Sequence, residues 1–382
     1  MSLFFLVIFL IYGGMHVYAF LRAKIVFGFG PAEGAAIAAF MLAMTFAPFI
    51  IRLLERHDFE LSAQILSYIA YLWMAALFLF FCGSIVFDLV NILAGITTRI
   101  AGGLRGLLIP ARTSFFACVC LSMIICLYGY FDALNIRTER LRIETTKLPE
   151  SVQRLTIVQI SDVHLGLIVR AARLKRLLDI VKAEKPDVFV STGDLVDAQI
   201  DHMAGLAELL REVQAPYGKY AITGNHEYYA GIKQALAFTR ECGFTLLRGE
   251  AARNEVINIV GVDDPAGVQL NIDKPELEAA LLSGLPRNRF TLLLKHRPTV
   301  DQNAAKLFDL QISGHTHRGQ IYPFTYVSKI AYPLNAGNYD LGNGSRLHVS
   351  RGTGTWGPPV RFLSHPEVTV YELVRKTALS AN

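Results

Sequence analysis

Leu310-Gln311-Ile312-Ser313-Gly314-His315-Thr316-His317 is the stretch on which the reading of this chain turns. A short run of strand character stops at a glycine, and two imidazoles follow with one residue between them. The same construction recurs upstream. Leu155–Ile160 stops at Ser161-Asp162, with His164 two residues on, and Val188–Val190 runs into Thr192-Gly193-Asp194. Tyr220–Thr223 ends at Gly224-Asn225-His226, Val256–Val262 at Asp263-Asp264, and Phe290–Lys295 at His296. Between these runs, Leu174, Leu177, Leu178 and Val181 keep the i, i+3, i+4, i+7 spacing of an amphipathic helix. Met203–Glu212 and Ile232–Arg240 also read as helices. In α/β proteins, sites gather beyond the carboxyl ends of strands, where loops converge without disturbing the core. The pattern predicts a mixed sheet covered by helices. The glycine-rich, β-leaning stretch from Ile321 to Val374 predicts antiparallel strands that complete a second sheet.

The residues at these strand ends are of the types that hold cations. Asp162 and His164 are two apart, so an irregular loop can turn both toward one ion. Asp194 offers two carboxylate oxygens and can bridge a pair, Asn225 offers a neutral oxygen, and His296, His315 and His317 offer imidazoles. Such a mixed oxygen and nitrogen set suits Mn, Fe, Zn, Co or Ni better than Ca. A single Gly-Asn-His or His-x-His is more often an ordinary hydrogen-bonded group. Clusters repeated after successive strands do not reduce to satisfied core polar groups.

Asp162-Val163-His164, Gly193-Asp194, Gly224-Asn225-His226-Glu227, His296 and Gly314-His315-Thr316-His317 together resemble the signature set of the calcineurin-like metallophosphoesterase superfamily, over about residues 153–374. Lys295-His296-Arg297-Pro298, the Gly-Gln ending at Gln320, and Arg351-Gly352-x-Gly354 look like its membrane-associated bacterial branch. The resemblance implies a four-layer α/β/β/α sandwich and two divalent metal ions per chain. It implies Asp162, His164 and His317 around one ion, Asn225, His296 and His315 around the other, and Asp194 bridging. His226 is implied to be catalytic, touching the transferring phosphoryl oxygens or the leaving group without binding metal. The implied reaction is hydrolysis of a phosphodiester or pyrophosphate by metal-activated hydroxide. Arg318 departs from the pattern, standing where many relatives look to have glycine. It is a candidate substrate contact for a second phosphate or a lipid headgroup, with an outward or locally paired side chain as the alternative. Lys295 and Arg297 flank a ligand position and are further candidates to reach phosphate. Asp263, Asp264 and His202 read as structural before they read as rim groups, and His348 and His365 as packing or surface residues.

The first third reads differently. Ser2–Leu21, Gly34–Ile51, Leu61–Phe87 and Thr113–Phe131 lack formal charge over nearly a membrane's width, and roughly 20 apolar residues cross a bilayer core as a helix. The expectation is an all-α region of four transmembrane helices over residues 1–134, a juxtamembrane linker over 135–152, and the catalytic domain over 153–376. The first stretch lacks a basic start and runs long, so it reads as a span and not as a cleaved signal. Four crossings would put the amino terminus and the large domain on one side. The basic cluster Arg137, Arg140, Arg142 and Lys147 places that side in the cytoplasm of a bacterial cell, at the inner membrane.

Over the 382 residues the net charge is +5, and no basic run is interleaved with aromatics, so no nucleic-acid partner is expected. Of five cysteines only Cys242 lies in the polar part, which excludes a disulfide framework there. Partners are then the bilayer and a phosphate-ester substrate, with a lipid-linked diester or pyrophosphate favoured. The alternatives are a UDP-2,3-diacylglucosamine pyrophosphatase specifically, a broad phosphodiesterase, or a non-catalytic metal-binding sensor module.

Overall fold

The computed structural model describes residues 2–101, 108–197, 203, 205–275, 277–342 and 344–376. The chain divides into two compact units, Met1–Phe131 with Gly357–Val360, and Asp132–Trp356 with Arg361–Asn382.

The first unit is helical: α1 (Ser2–Phe27), α2 (Pro31–Arg56), α3 (Glu60–Ala101) and α4 (Ala111–Asp132, whose last residue begins the second unit). Among the described residues three helices are long and apolar enough to cross a membrane: α2, Glu60–Arg99 of α3, and α4. This corrects the expected four crossings. The Ser2–Leu21 stretch is helical, yet α1 is not among the three. Over the described side chains of α1, from Phe9 to Phe27, Gly13, Gly14, His16, Arg22 and Lys24 dilute the apolar run. His16 is buried, with Nδ1 donating to the Tyr12 carbonyl (3.0 Å) and Nε2 accepting from Trp73 Nε1 (2.9 Å). Arg22 pairs with Asp88 at 2.9 Å, and Tyr18 donates to the same carboxylate at 2.5 Å. That pairing lets α3 run past Phe87, where the uncharged stretch stops. Its 42 residues make a rod about 63 Å long, roughly twice the hydrocarbon thickness.

The second unit is a two-sheet sandwich. Its strands are β1 (Arg137–Thr145), β2 (Arg154–Ile160), β3 (Val188–Ser191), β4 (Lys219–Ala221), β5 (Thr245–Leu246) and β6 (Glu250–Arg253). They continue as β7 (Asn258–Gly261), β8 (Thr291–Leu294), β9 (Leu310–Ser313), β10 (Gly337–Gly342), β11 (Ser345–Val349) and β12 (Glu367–Arg375). One sheet has the order β1-β12-β2-β3-β4-β5 and the other β10-β11-β9-β8-β7-β6. Alternation puts Ile157, Val190, Ile259, Leu292, Ile312 and Tyr371 into the shared core between them. The outward residues Val260 and Leu293 pack instead with Leu282 and Phe308. Helices α5 (Ala171–Ala183), α6 (Leu206–Arg211), α7 (Asn225–Ala230), α8 (Ile232–Glu241), α9 (Ala266–Gln269), α10 (Glu278–Ser283) and α11 (Phe324–Ala331) complete the unit. The apolar stripe of α5 is buried as its spacing predicts, through Leu174, Leu177, Leu178 and Val181.

Three features differ from expectation. Residues 137–145 are no tether: β1 lies parallel to β12, with Leu141 opposite Tyr371 and Ile143 opposite Leu373. The late stretch does not all join the second sheet, because β12 runs antiparallel to β2 in the first. It also holds a helix, α11, where β character was expected.

Candidate metal centre

The ligand-type residues stand where the strands stop. Asp162 and His164 follow β2, Asp194 follows β3, and Asn225 and His226 open α7 just beyond β4. His296 follows β8, and His315 and His317 follow β9. The chain reaches these positions through unusual backbone. Asp162, His164, Asp194, His315 and His317 all have positive φ, between 47° and 71°. Non-glycine residues avoid that region unless their surroundings enforce it, so its concentration here marks a built site. The neighbouring glycines make the turns passable. A Cβ on Gly193, at φ +90°, would lie 2.7 Å from His296 Nδ1, and one on Gly314 would lie 2.2 Å from Asp162 Oδ2.

Three sets of buried or half-buried side chains converge: Asp162, His164 and His317; His164, Asp194 and His226; and Asp194, His296 and His315. Within each set the ligand-type atoms lie within 4.8 Å of one another. His164 Nε2 is 3.1 Å from His317 Nε2, and His317 Nε2 is 3.4 Å from Asp162 Oδ1. On the other side, His296 Nε2 is 3.2 Å from both Asp194 Oδ2 and His315 Nδ1. Asp194 Oδ2 is 3.8 Å from His164 Nε2, which links the two sides. These residues fit a pair of cations. The side-chain oxygen of Asn225 is buried without a hydrogen-bond partner, which costs about 1–3 kcal/mol unless something electropositive meets it. The His296 ring donates from Nδ1 to the Thr192 carbonyl (2.8 Å), leaving the Nε2 lone pair for the site.

Groups that composition did not reveal hold this arrangement. Glu227 accepts from the backbone N–H of Gly224 (2.6 Å) and Asp194 (3.0 Å) on one oxygen, and of Leu195 (2.8 Å) and Val196 (3.4 Å) on the other. Asp197 Oδ1 lies 3.1 Å from His226 Nδ1 and 3.7 Å from His164 Nδ1. The Tyr332 hydroxyl sits 3.0 Å from His315 Nε2. Arg361 is fully buried and reaches the carbonyls of Gly354 and Arg351 and the Nδ1 of His317 (3.0 Å). Glu227 and Asp197 had sequence cues, the first closing Gly224-Asn225-His226-Glu227 and the second three residues after Asp194, whereas Tyr332 and Arg361 are distant in the chain from what they touch.

Burial and charge pull these groups apart in pKa. Burial works against the His226 imidazolium, but Asp194 and Asp197 outweigh it and push the pKa up to about 9. His296 is likewise pushed up to about 10 against burial, chiefly by Asp194. Burial opposes the Asp194 carboxylate, yet His296 and His226 hold its pKa well below the usual range. His315 and His317 are pulled well below theirs, first by burial and then by the cationic His296 and Arg361 respectively.

The remaining sequence candidates fall outside this cluster. Arg318 is exposed at the rim, with its backbone N–H donating to Thr316. Lys295 pairs with Glu278, and both oxygens of Asp264 hold Arg297 at 2.8 Å, so neither cation is poised for phosphate. Asp263 binds Arg248 and Thr223. His348 is buried against the Tyr371 hydroxyl (2.5 Å), His365 pairs with Asp132, and His202 lies outside the described residues.

A sequence profile for calcineurin-like phosphoesterases matches residues 155–319. A metallophosphoesterase of Aquifex aeolicus is 38% identical over 251 residues, which cover 65% of this chain and 96% of the relative. The chain belongs to the calcineurin-like metallophosphoesterases. A metallophosphoesterase of Campylobacter jejuni is 31% identical, with 66% of this chain and 69% of the relative covered. A zebrafish transmembrane protein with a metallophosphoesterase domain is 30% identical, over 65% of this chain and 60% of its own length. Relatives in bacteria and in animals thus share the resemblance, which corrects its narrower assignment to a bacterial branch. The matched profile and the clustered ligands make the chain a metal-dependent phosphoric ester hydrolase with a dinuclear site for divalent cations. Its membrane-length helices make it a multi-pass membrane protein.

Proposed function

We propose that the chain hydrolyses a phosphodiester or pyrophosphate bond of a lipid-linked substrate. In this reading Asp162, His164 and His317 hold one cation, Asn225, His296 and His315 hold the second, and Asp194 bridges them. The observation that carries it is the shared position of Asp194, whose Oδ2 is 3.2 Å from His296 Nε2 and 3.8 Å from His164 Nε2. When bound, the cations supply Lewis acidity that lowers the pKa of water and neutralises charge growing on the phosphoryl oxygens. Asp197 orients His226 through Nδ1, which leaves Nε2 to donate to a phosphoryl oxygen or to the leaving group. Glu227 fixes the loop that presents Asp194. Arg318, free of the buried lattice, meets a second phosphate or a headgroup. The membrane-length helices favour a substrate that resides in a bilayer.

The test is hydrolysis by the full chain in detergent with Mn²⁺ supplied, over an aryl diester, an aryl monoester and a UDP-linked acylated sugar. Turnover should be lost in Asp194→Asn. Equal turnover by that variant would contradict the bridging role. Two bound metals without turnover of any substrate would favour a sensor or scaffold.

We further propose a bacterial inner membrane, with the site facing the cytoplasm. With three spans, Arg52, Arg56, Arg137, Arg140, Arg142 and Lys147 flank the domain side, against Arg22, Lys24, Arg99, Arg105 and Arg112 on the other. The margin is one residue, so reporter fusions at the carboxyl terminus decide it. A periplasmic signal would reverse the orientation.

A further inference from the structure

Helix α11 is inside out. It buries none of its residues, and Tyr326, Val327 and Ile330 are 59%, 53% and 84% exposed. Its small polar residues face the protein instead. The Thr325 hydroxyl donates to the Arg318 carbonyl (2.8 Å), and Ser328 accepts from Asn335 Nδ2 (2.6 Å). On a helical wheel Tyr326, Ile330, Val327, Ala331 and Phe324 fall on one continuous arc, opposite Thr325. An ordinary surface helix points that arc at the core.

The carboxyl end of this helix leads to the metal centre. At the end of α11, Tyr332 packs edge-on against His315, with ring centroids 4.9 Å apart. Across the site Trp356, half exposed, approaches His226 at 6.2 Å between centroids. Gln320 locks the Trp356 backbone by donating to its carbonyl (3.0 Å) and accepting from its N–H (2.9 Å). Arg318, next to His317 in the chain, is exposed.

We infer that the outward face of α11 is the seat of an acyl chain belonging to an amphiphilic phosphate ester whose phosphate lies at the metal centre. The inference rests on the hydrolase reading above and names the element that selects its substrate. The apolar arc begins where the ligand set ends, so one molecule can occupy both. The eight residues of the helix run about 12 Å, enough to cover much of a medium-length chain. An exposed arginine one residue beyond His317 suits the anionic end of such a molecule. Helices that lie in a bilayer surface carry a strongly charged face, whereas the polar face of α11 is spent on hydrogen bonds to its own domain.

The test uses the full chain in lipid nanodiscs with two aryl phosphodiesters that share a leaving group, one bearing a butyl chain and one a dodecyl chain. Wild type should prefer the dodecyl ester in kcat/KM. Val327→Ser with Ile330→Ser, both exposed and outside the catalytic machinery, should cut that value about tenfold, or about 1.4 kcal/mol, and leave the butyl ester unchanged. Equal kcat/KM for the two esters in wild type overturns the inference. So does a preference that survives the double substitution, which would show that the bilayer itself collects the chain. A diazirine-tailed dodecyl phosphate, read by mass spectrometry, gives a readout that does not need turnover. Labelling within residues 322–332 supports the seat even if the hydrolase reading fails, and labelling elsewhere refutes it even if turnover is fast.

Discussion

Replacing Glu227 by glutamine changes one oxygen into an amino group and should damage the site without touching any proposed ligand. The carboxylate is buried, and its two oxygens accept from four backbone N–H groups, those of Gly224, Asp194, Leu195 and Val196. The amide keeps one acceptor oxygen, so whichever way it turns, two amides lose their partner and face an N–H₂. A buried donor left unsatisfied costs about 1–3 kcal/mol, which gives about 2–6 kcal/mol for the pair. For a domain of this size 1 kcal/mol lowers Tm by about 2–4 °C, so the midpoint should fall by about 4 °C or more. The assay is thermal unfolding of the full chain in detergent, metal-supplemented and compared with wild type. Three of the four amides, those of Asp194, Leu195 and Val196, belong to the loop that presents Asp194, so metal content should fall as well. A midpoint within 1 °C of wild type (the ~2 kcal/mol lower bound excludes this) would refute the idea that this carboxylate organises the loop.

His348 should make the domain acid-sensitive. Burial pushes its pKa down to about 4, so above the ordinary value of 6.5 the imidazole is neutral in both states. As pH falls from 6.5 toward 4 the unfolded chain takes up the proton first, and stability drops by roughly 3 kcal/mol across that window. His348→Gln should flatten the slope of Tm against pH there; an unchanged slope would contradict the assignment. His226→Ala should lower kcat by about 10²–10⁴-fold while elemental analysis still finds the wild-type metal content; loss of a metal would make His226 a ligand. Chelation with EDTA should abolish hydrolysis, and a divalent cation should restore it. Activity that persists in chelator with no metal left would exclude metal-dependent chemistry.

Much of the fold and the site was legible because each strand announces its end. Leu155–Ile160 and Leu310–Ser313 are apolar runs that give way to Asp or His, and Asp162, His164, Asp194, His296, His315 and His317 cluster together with His226. The contacts that hold them were not legible. Asp197, Tyr332 and Arg361 act through contacts created by tertiary folding, and nothing local distinguishes the buried Arg361 from an arginine on the surface. Alternation marks a strand but not its partner, so β12 was assigned to the wrong sheet. Leu141 and Ile143 alternate with charges in β1, a strand signal masked by the basic character of the segment. Helix α11 escaped because its arc faces solvent, where a core-directed reading has no place for it. In the membrane region hydropathy measured apolar length, but it could not show that Arg22 would meet Asp88 or that α3 would continue beyond Phe87.

The most direct test of the central claim is the metal content of the purified full chain and of Asp194→Asn, measured on the same samples as aryl diester hydrolysis. Two divalent ions are expected per wild-type chain, with hydrolysis that rises in proportion to occupancy, and loss of at least one ion together with turnover in the variant. One ion or none in a fully active wild-type enzyme, or two in an active Asp194→Asn, would contradict it.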